Sequence, residues 1–237
     1  MHGVAAIQAD GLRPRESTAL TGLLDFLDPG LSGPSPAAAR PGNTCCERRF
    51  TAGECVFHDG APARLGFRLL SGMVRLFKLL PDGRRQITGF ADPGAYIGFS
   101  AGTSYATDAE AVDDVLVQQF RLASSGDILA RCPDLEPALL ECMSSELLAA
   151  QQHILLLGRK TSRERLATFL IWRAGKDDMI RLPMSRLDIA DYLGMTIETT
   201  SRTFSMFRRE DLIELAGANV VKLLDRERLA DIAECES

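Results

Sequence analysis

The sequence predicts an α+β chain: an antiparallel β-roll first, then one long helix, then a helix–turn–helix followed by a small β-hairpin wing. Three observations carry that prediction. From Arg48 onward, short alternating apolar runs (Phe50 to Phe57, Leu65 to Leu70, Met73 to Leu80, Arg85 to Phe90) are punctuated by Gly72, Gly83 and Gly94 at eleven-residue intervals. After Cys132-Pro133 the apolar spacing changes to seven residues. Between Ser185 and Arg202, capping, small and turn-forming residues follow one another in the order that two short crossing helices require.

In chain order, residues 1–44 hold one amphipathic stretch, Leu20 to Leu27, and then Pro29-Gly30, Gly33-Pro34-Ser35-Pro36 and Pro41-Gly42. That composition reads as a short helix and a flexible arm. Residues 45–132 form the β-roll, with Asp82-Gly83 as a tight hairpin turn because both residues tolerate positive φ. In residues 133–160, Leu140, Leu147 and Ile154 alternate with Met143, Ala150 and Leu157 along a helix from about Leu135 to Arg159. This is the apolar stripe of a two-stranded coiled coil, and the expectation is a dimer. A core helix lying on its own β domain would show the same stripe. Residues 161–237 complete the chain as a winged helix.

The formal charge is −5 over 237 residues, but it is unevenly spread. From Arg159 to Arg209 there are eleven Lys or Arg against six Asp or Glu, which leaves −10 for the remainder. A basic segment around the expected helices favours a nucleic-acid partner despite the acidic total. The six cysteines contain no C-x-x-C pair and no metal-ligand spacing, so reduced thiols are expected. No apolar run is long enough to cross a bilayer, and the N-terminus lacks a basic region followed by an apolar one; a cytoplasmic protein is the expectation.

The DNA-reading chemistry follows from spacing. Ser185 can cap the first helix, with Asp188 reaching back in a capping box and the helix running to Leu193. Ala190 lets two helices cross closely, Gly194 permits the turn, and Thr196 caps the second helix. Ile189, Leu193 and Met195 fill the space between them. The second helix then presents Ile197, Glu198, Ser201 and Arg202 at its N-terminal end, the end that enters a major groove. Arg202 can bond bidentately to guanine and Glu198 can accept from a cytosine amino group, although their i, i+4 spacing also suits an ordinary surface ion pair. Asp211 to Ala216, Gly217-Ala-Asn219 and Val220 to Leu224 supply the hairpin wing.

These residues resemble the CRP/FNR family of bacterial transcription regulators from about Phe50 to Ala233, most specifically at Arg163 to Leu170, Asp188 to Gly194 and Thr196 to Arg202. The resemblance implies a β-roll like a cyclic-nucleotide-binding domain, a homodimer on a palindromic duplex, and RNA polymerase as a partner. In FNR-like members the motif E-x-x-S-R reads a TTGA-type half-site; here it is Glu198, Ser201 and Arg202, with Ile197 beside a thymine methyl. Arg186, Thr196 and Thr199 would then touch phosphates, and the loop near Asp82 would meet the polymerase. Thr200 and Thr203 depart from the pattern, which usually has aliphatic side chains there.

The sensor half carries fewer of the family's signals. Cyclic-nucleotide binders have a glutamate after the glycine of a G-E-L segment and an arginine some ten residues later; this chain has Gly98-Phe99-Ser100, and Tyr105 to Glu110 contains no arginine. An iron–sulfur cluster would need cysteines in residues 1–44, which have none, and Cys45-Cys46 are adjacent. Haem on His58 or His153 is not expected, so no cofactor is. This resembles the FixK-type subgroup, which implies an activator of microaerobic respiration and nitrogen-fixation genes without an obligatory effector. Cys142, on the dimer helix, and Cys235 are candidates for redox control. Alternatives are an unidentified small-molecule or redox effector in the β-roll, or a metal-dependent cupin-like enzyme, for which three histidines are few.

Overall fold

The structure is a computed structural model and describes residues 46–99, 103–122 and 135–234. The N-terminal helix and arm expected in residues 1–44 lie outside the described residues, as does Cys235. Among the described residues eight strands make the β-roll: β1 (Cys46–Phe50), β2 (Cys55–Phe57), β3 (Leu65–Ser71), β4 (Val74–Leu79), β5 (Arg85–Ala91), β6 (Tyr96–Ile97), β7 (Asp108–Ala111) and β8 (Val115–Arg121). They form two antiparallel four-stranded sheets, ordered β1-β8-β3-β6 and β2-β7-β4-β5. Phe50, Phe67, Leu69, Val74, Ala109 and Val117 fill the space between the sheets, each at most 1% exposed.

The run Phe50 to Phe57 is two strands rather than one. Gly53 turns the chain at φ 82° and donates its N–H to Ala111 O, so β1 and β2 join different sheets. Gly72, Gly83 and Gly94 do lie at corners with positive φ. Gly72 has a second constraint: a Cβ there would stand 2.4 Å from Asp114 O. At the β4–β5 hairpin only Gly83 takes positive φ. Asp82 instead accepts from the Arg84 N–H at 3.0 Å, and Leu80 and Arg84 close the loop.

Helix α1 (Leu135–Arg159) leaves the roll and is followed by α2 (Ser162–Ala174), capped by Thr161 and Glu164 in a second capping box. Then come β9 (Met179–Arg181), α3 (Arg186–Leu193), α4 (Ile197–Arg209), β10 (Ile213–Gly217), β11 (Val220–Leu223) and α5 (Arg226–Glu234). β10 and β11 are the expected wing; β9 adds a third strand, pairing Ile180 with Val221. Three residues of strand are too few to show a period in sequence. A second core, from Leu166 and Phe169 through Leu193, Phe207 and Leu212 to Leu229, takes in Met73 of the β-roll.

Along α1, Leu140, Met143, Leu147 and Ile154 are 58 to 69% exposed, and Ala150 is exposed with them. Leu157 departs from this stripe. It is partly buried against the second core, with Cδ2 3.1 Å from where a Gly194 Cβ would be. A straight α-helix drifts about 20° per heptad, which carries the last seam position inward as α1 docks on the helix–turn–helix. Among the described residues no helix is long and apolar enough to cross a membrane.

Candidate nucleic-acid interface

The first helix of the motif forms as its sequence dictates. Ser185 is the N-cap, its Oγ accepting from Asp188 N at 3.1 Å, while Asp188 Oδ2 accepts from Ser185 N at 2.9 Å. Gly194 ends α3 in the left-handed region at φ 59°. Ala190 and Leu193 are buried at the crossing with α4, at 1% and 0% exposure. Arg165 holds the turn from behind, donating to Leu193 O, Gly194 O, Leu157 O and Lys160 O at 2.8 to 3.2 Å. One guanidinium thereby ties the end of α1 to the turn between α3 and α4.

Thr196 caps α4 through a 3.2 Å bond from Thr199 N. Thr203 and Phe204 pack inward, whereas Ile197, Glu198, Ser201 and Arg202 share the exposed face. Among the described residues no ion pair joins Glu198 to Arg202. The Glu198 carboxyl is held below its ordinary range by its own amide and the Thr196 hydroxyl, and less by Arg202. Both groups are therefore presented to solvent at the positive end of the helix. Thr203 Oγ1 donates to Thr199 O at 2.8 Å, but the fully buried Thr200 hydroxyl has no partner.

Arg186 is placed less freely. Its guanidinium lies 3.3 Å over the Phe204 ring, Nη1 is buried without a partner, and burial lowers its pKa. Beside it, a cavity of about 230 Å³ runs between α3 and the wing. Part of the basic segment is likewise paired within the chain: Arg163 with Glu210 and Arg173 with Asp92, both partly buried, and the exposed Arg181 with Asp113. The regional charge excess thus overstates the cations facing outward; Arg202, Arg208 and Arg209 are the exposed ones on α4.

Residues that sequence reasoning did not single out hold α3 from the other side. Arg85 Nη2 donates to Asp188 Oδ1 at 2.6 Å and Arg85 Nε to Asp191 Oδ2 at 2.9 Å. Arg75 bridges Asp188 and Glu110, and Gln86 Nε2 donates to Asp191 O at 2.7 Å. Tyr192 fills the same junction among the rings of Phe90, His153 and Phe169, and burial pushes its pKa up to about 12. His153 Nε2 donates to Tyr192 O, 2.7 Å away, making it an interface histidine.

In the β-roll, a cavity of about 360 Å³ lies against α1, lined by Tyr96, Phe99, Tyr105, Cys142, Glu146 and Leu147 among others, with no basic side chain among its lining residues. Burial raises the Glu146 carboxyl. Cys142 points here, with Sγ 3.9 Å from Tyr96 O and its thiol pKa raised by burial, instead of toward the exposed seam. Position 142 is one residue off the stripe, and its thiol faces the cavity rather than the proposed seam. Asp82 is exposed at the hairpin tip, its pKa lowered by the bonds from Arg84. Among the described residues no group of three His, Cys, Asp or Glu could hold a metal ion.

Two family models match: a Crp-like helix-turn-helix domain over residues 164–232 and a cyclic nucleotide-binding domain over residues 47–132. The nitrogen fixation regulation protein FixK of Bradyrhizobium diazoefficiens is 41% identical over 191 residues, 78% of this chain and 80% of that protein. The transcriptional activatory protein AadR of Rhodopseudomonas palustris is 38% identical over 192 residues, 78% of this chain and 80% of its own length. The solved structure of FixK2 from Bradyrhizobium japonicum superposes with a TM-score of 0.74 at 36% identity, covering 81% of this chain and 99% of that one. That architecture, a β-roll, a long dimerisation helix and a C-terminal helix-turn-helix, is the one described above. The chain belongs to the CRP/FNR family of transcription regulators, within its FixK subgroup.

Proposed function

We propose that two copies of this chain bind a palindrome with TTGA-type half-sites and activate genes for low-oxygen respiration and nitrogen fixation, with no obligatory small-molecule effector. The observation that carries this is the exposed quartet Ile197, Glu198, Ser201 and Arg202 on a capped helix, with Glu198 and Arg202 unpaired with each other. A carboxylate beside phosphates is unfavourable unless it accepts from a base. Thr196 and Thr199 flank the quartet and are assigned to phosphates together with Arg186, whose stack on Phe204 sets the height of its guanidinium. The exposed seam from Leu140 to Ile154 is assigned to the partner helix, and the hairpin tip at Asp82 to the polymerase.

Selection of bound sequences from a random duplex pool, with and without reductant, tests the reading. The expected product is one two-fold symmetric sequence under both conditions. An asymmetric product, or none, contradicts it. The aromatic cavity beside Glu146 supports a second reading, in which an effector without a phosphate occupies the β-roll. A metabolite that changes DNA affinity while binding stoichiometrically by calorimetry would establish that version.

A further inference from the structure

Asp188 serves two structures at once. Its carboxylate completes the capping box of α3, accepting from Ser185 N and Ser185 Oγ at 2.9 and 2.7 Å, and it also receives Arg75 and Arg85 from the β-roll. Its side chain is 3% exposed. Arg85 then reaches one turn further along the helix to Asp191, which is 19% exposed. The β4–β5 ribbon therefore grips α3 at two points, in a low-dielectric junction where charge-assisted bonds are directional and strong. At the far end of the motif, Arg165 joins the turn after α3 to the end of α1.

From this geometry we infer that Arg85, supported by Arg75, is a positioning residue for DNA reading: acting through Asp188 and Asp191, it sets the angle of α4 against the dimer helix. Since α3 and α4 pack as one unit across Ala190 and Leu193, an anchor on α3 orients the reading helix without touching DNA. In a two-fold dimer that angle decides which half-site separation both reading helices can meet at once. The inference rests on the dimer-on-palindrome reading above. What it adds is a determinant of spacing that lies in the β-roll, outside the DNA-binding segment.

The test is a set of duplexes carrying the selected half-sites with the central spacer lengthened or shortened by one and two base pairs, plus an isolated half-site. The full-length protein should show one preferred spacing. Arg85→Gln and Asp191→Asn should each flatten that preference by roughly ten-fold, a coupling of ordinary size, while leaving base discrimination within the half-site intact. Arg85→Lys, which keeps the charge but not the fork, should fall between. Variants that unfold at lower temperature yet keep the parent spacing profile would overturn the inference, because a purely structural role lowers stability without moving that optimum. A parent protein that binds isolated half-sites as tightly as any palindrome would overturn the dimer reading and this inference together. A parent optimum that both variants share would overturn positioning alone.

Discussion

The two helices of the DNA-reading motif are neighbours in sequence with opposite electrostatic surroundings. On α4, Glu198 and Arg202 stand exposed and unpaired with each other. On α3, Asp188 and Asp191 are gripped by arginines of the β-roll. The carboxylates of the first helix are therefore satisfied within one chain, whereas Glu198 and Arg202 on the second form no ion pair with each other. Under the proposed function, the difference separates residues that place the motif from residues that read with it. Regional net charge blurs the two, since several cations between Arg159 and Arg209 belong to the placing class.

Substitutions can break or sharpen that division. The largest effect is expected from Leu147→Asp. Leu147 is 63% exposed, so the chain should fold and keep its α3 anchors, while sedimentation shows a monomer and site-specific binding is lost. A surviving dimer would mean that the seam lies elsewhere. Asp188→Ala should cost about 3 kcal/mol of unfolding free energy in chemical denaturation, because it takes from two partly buried guanidinium groups the acceptor they share and removes a cap. A change near zero would show that the β-roll grip is incidental.

On the reading side, Arg202→Ala should leave the melting temperature unchanged and cost about 1 to 3 kcal/mol on the selected palindrome, with little loss on random duplex. Equal losses on both duplexes would move Arg202 to the phosphate-contacting group. The smallest effect concerns the concealed side of α4. Thr200→Val removes a buried hydroxyl without a partner and should stabilise the protein by about 1 kcal/mol, read as a higher denaturant midpoint.

Legibility in the sequence follows the same division. Both helix caps, the Gly194 turn and the exposed quartet on α4 each depend on residues within five positions of each other, and local chemistry specifies them. The extent of α1 was legible because its period persists over three heptads, but the inward turn of Leu157 was not, because it depends on what α1 docks against. The Arg75–Asp188 contact joins residues 113 positions apart, and no local pattern distinguishes Arg75 or Arg85 from an ordinary solvated strand residue. Phe50 to Phe57 read as one strand because the apolar alternation continues across Gly53, whereas the hydrogen bond to Ala111 that splits it is long-range.

In the proposed function, α4 reads sequence in a dimer that needs no added ligand. The most direct test is the ratio of dissociation constants for the selected palindrome and a scrambled duplex of the same length, measured at fixed salt on purified protein with nothing else added. The expected ratio is on the order of a thousand or more in favour of the palindrome. Equal affinities would contradict it.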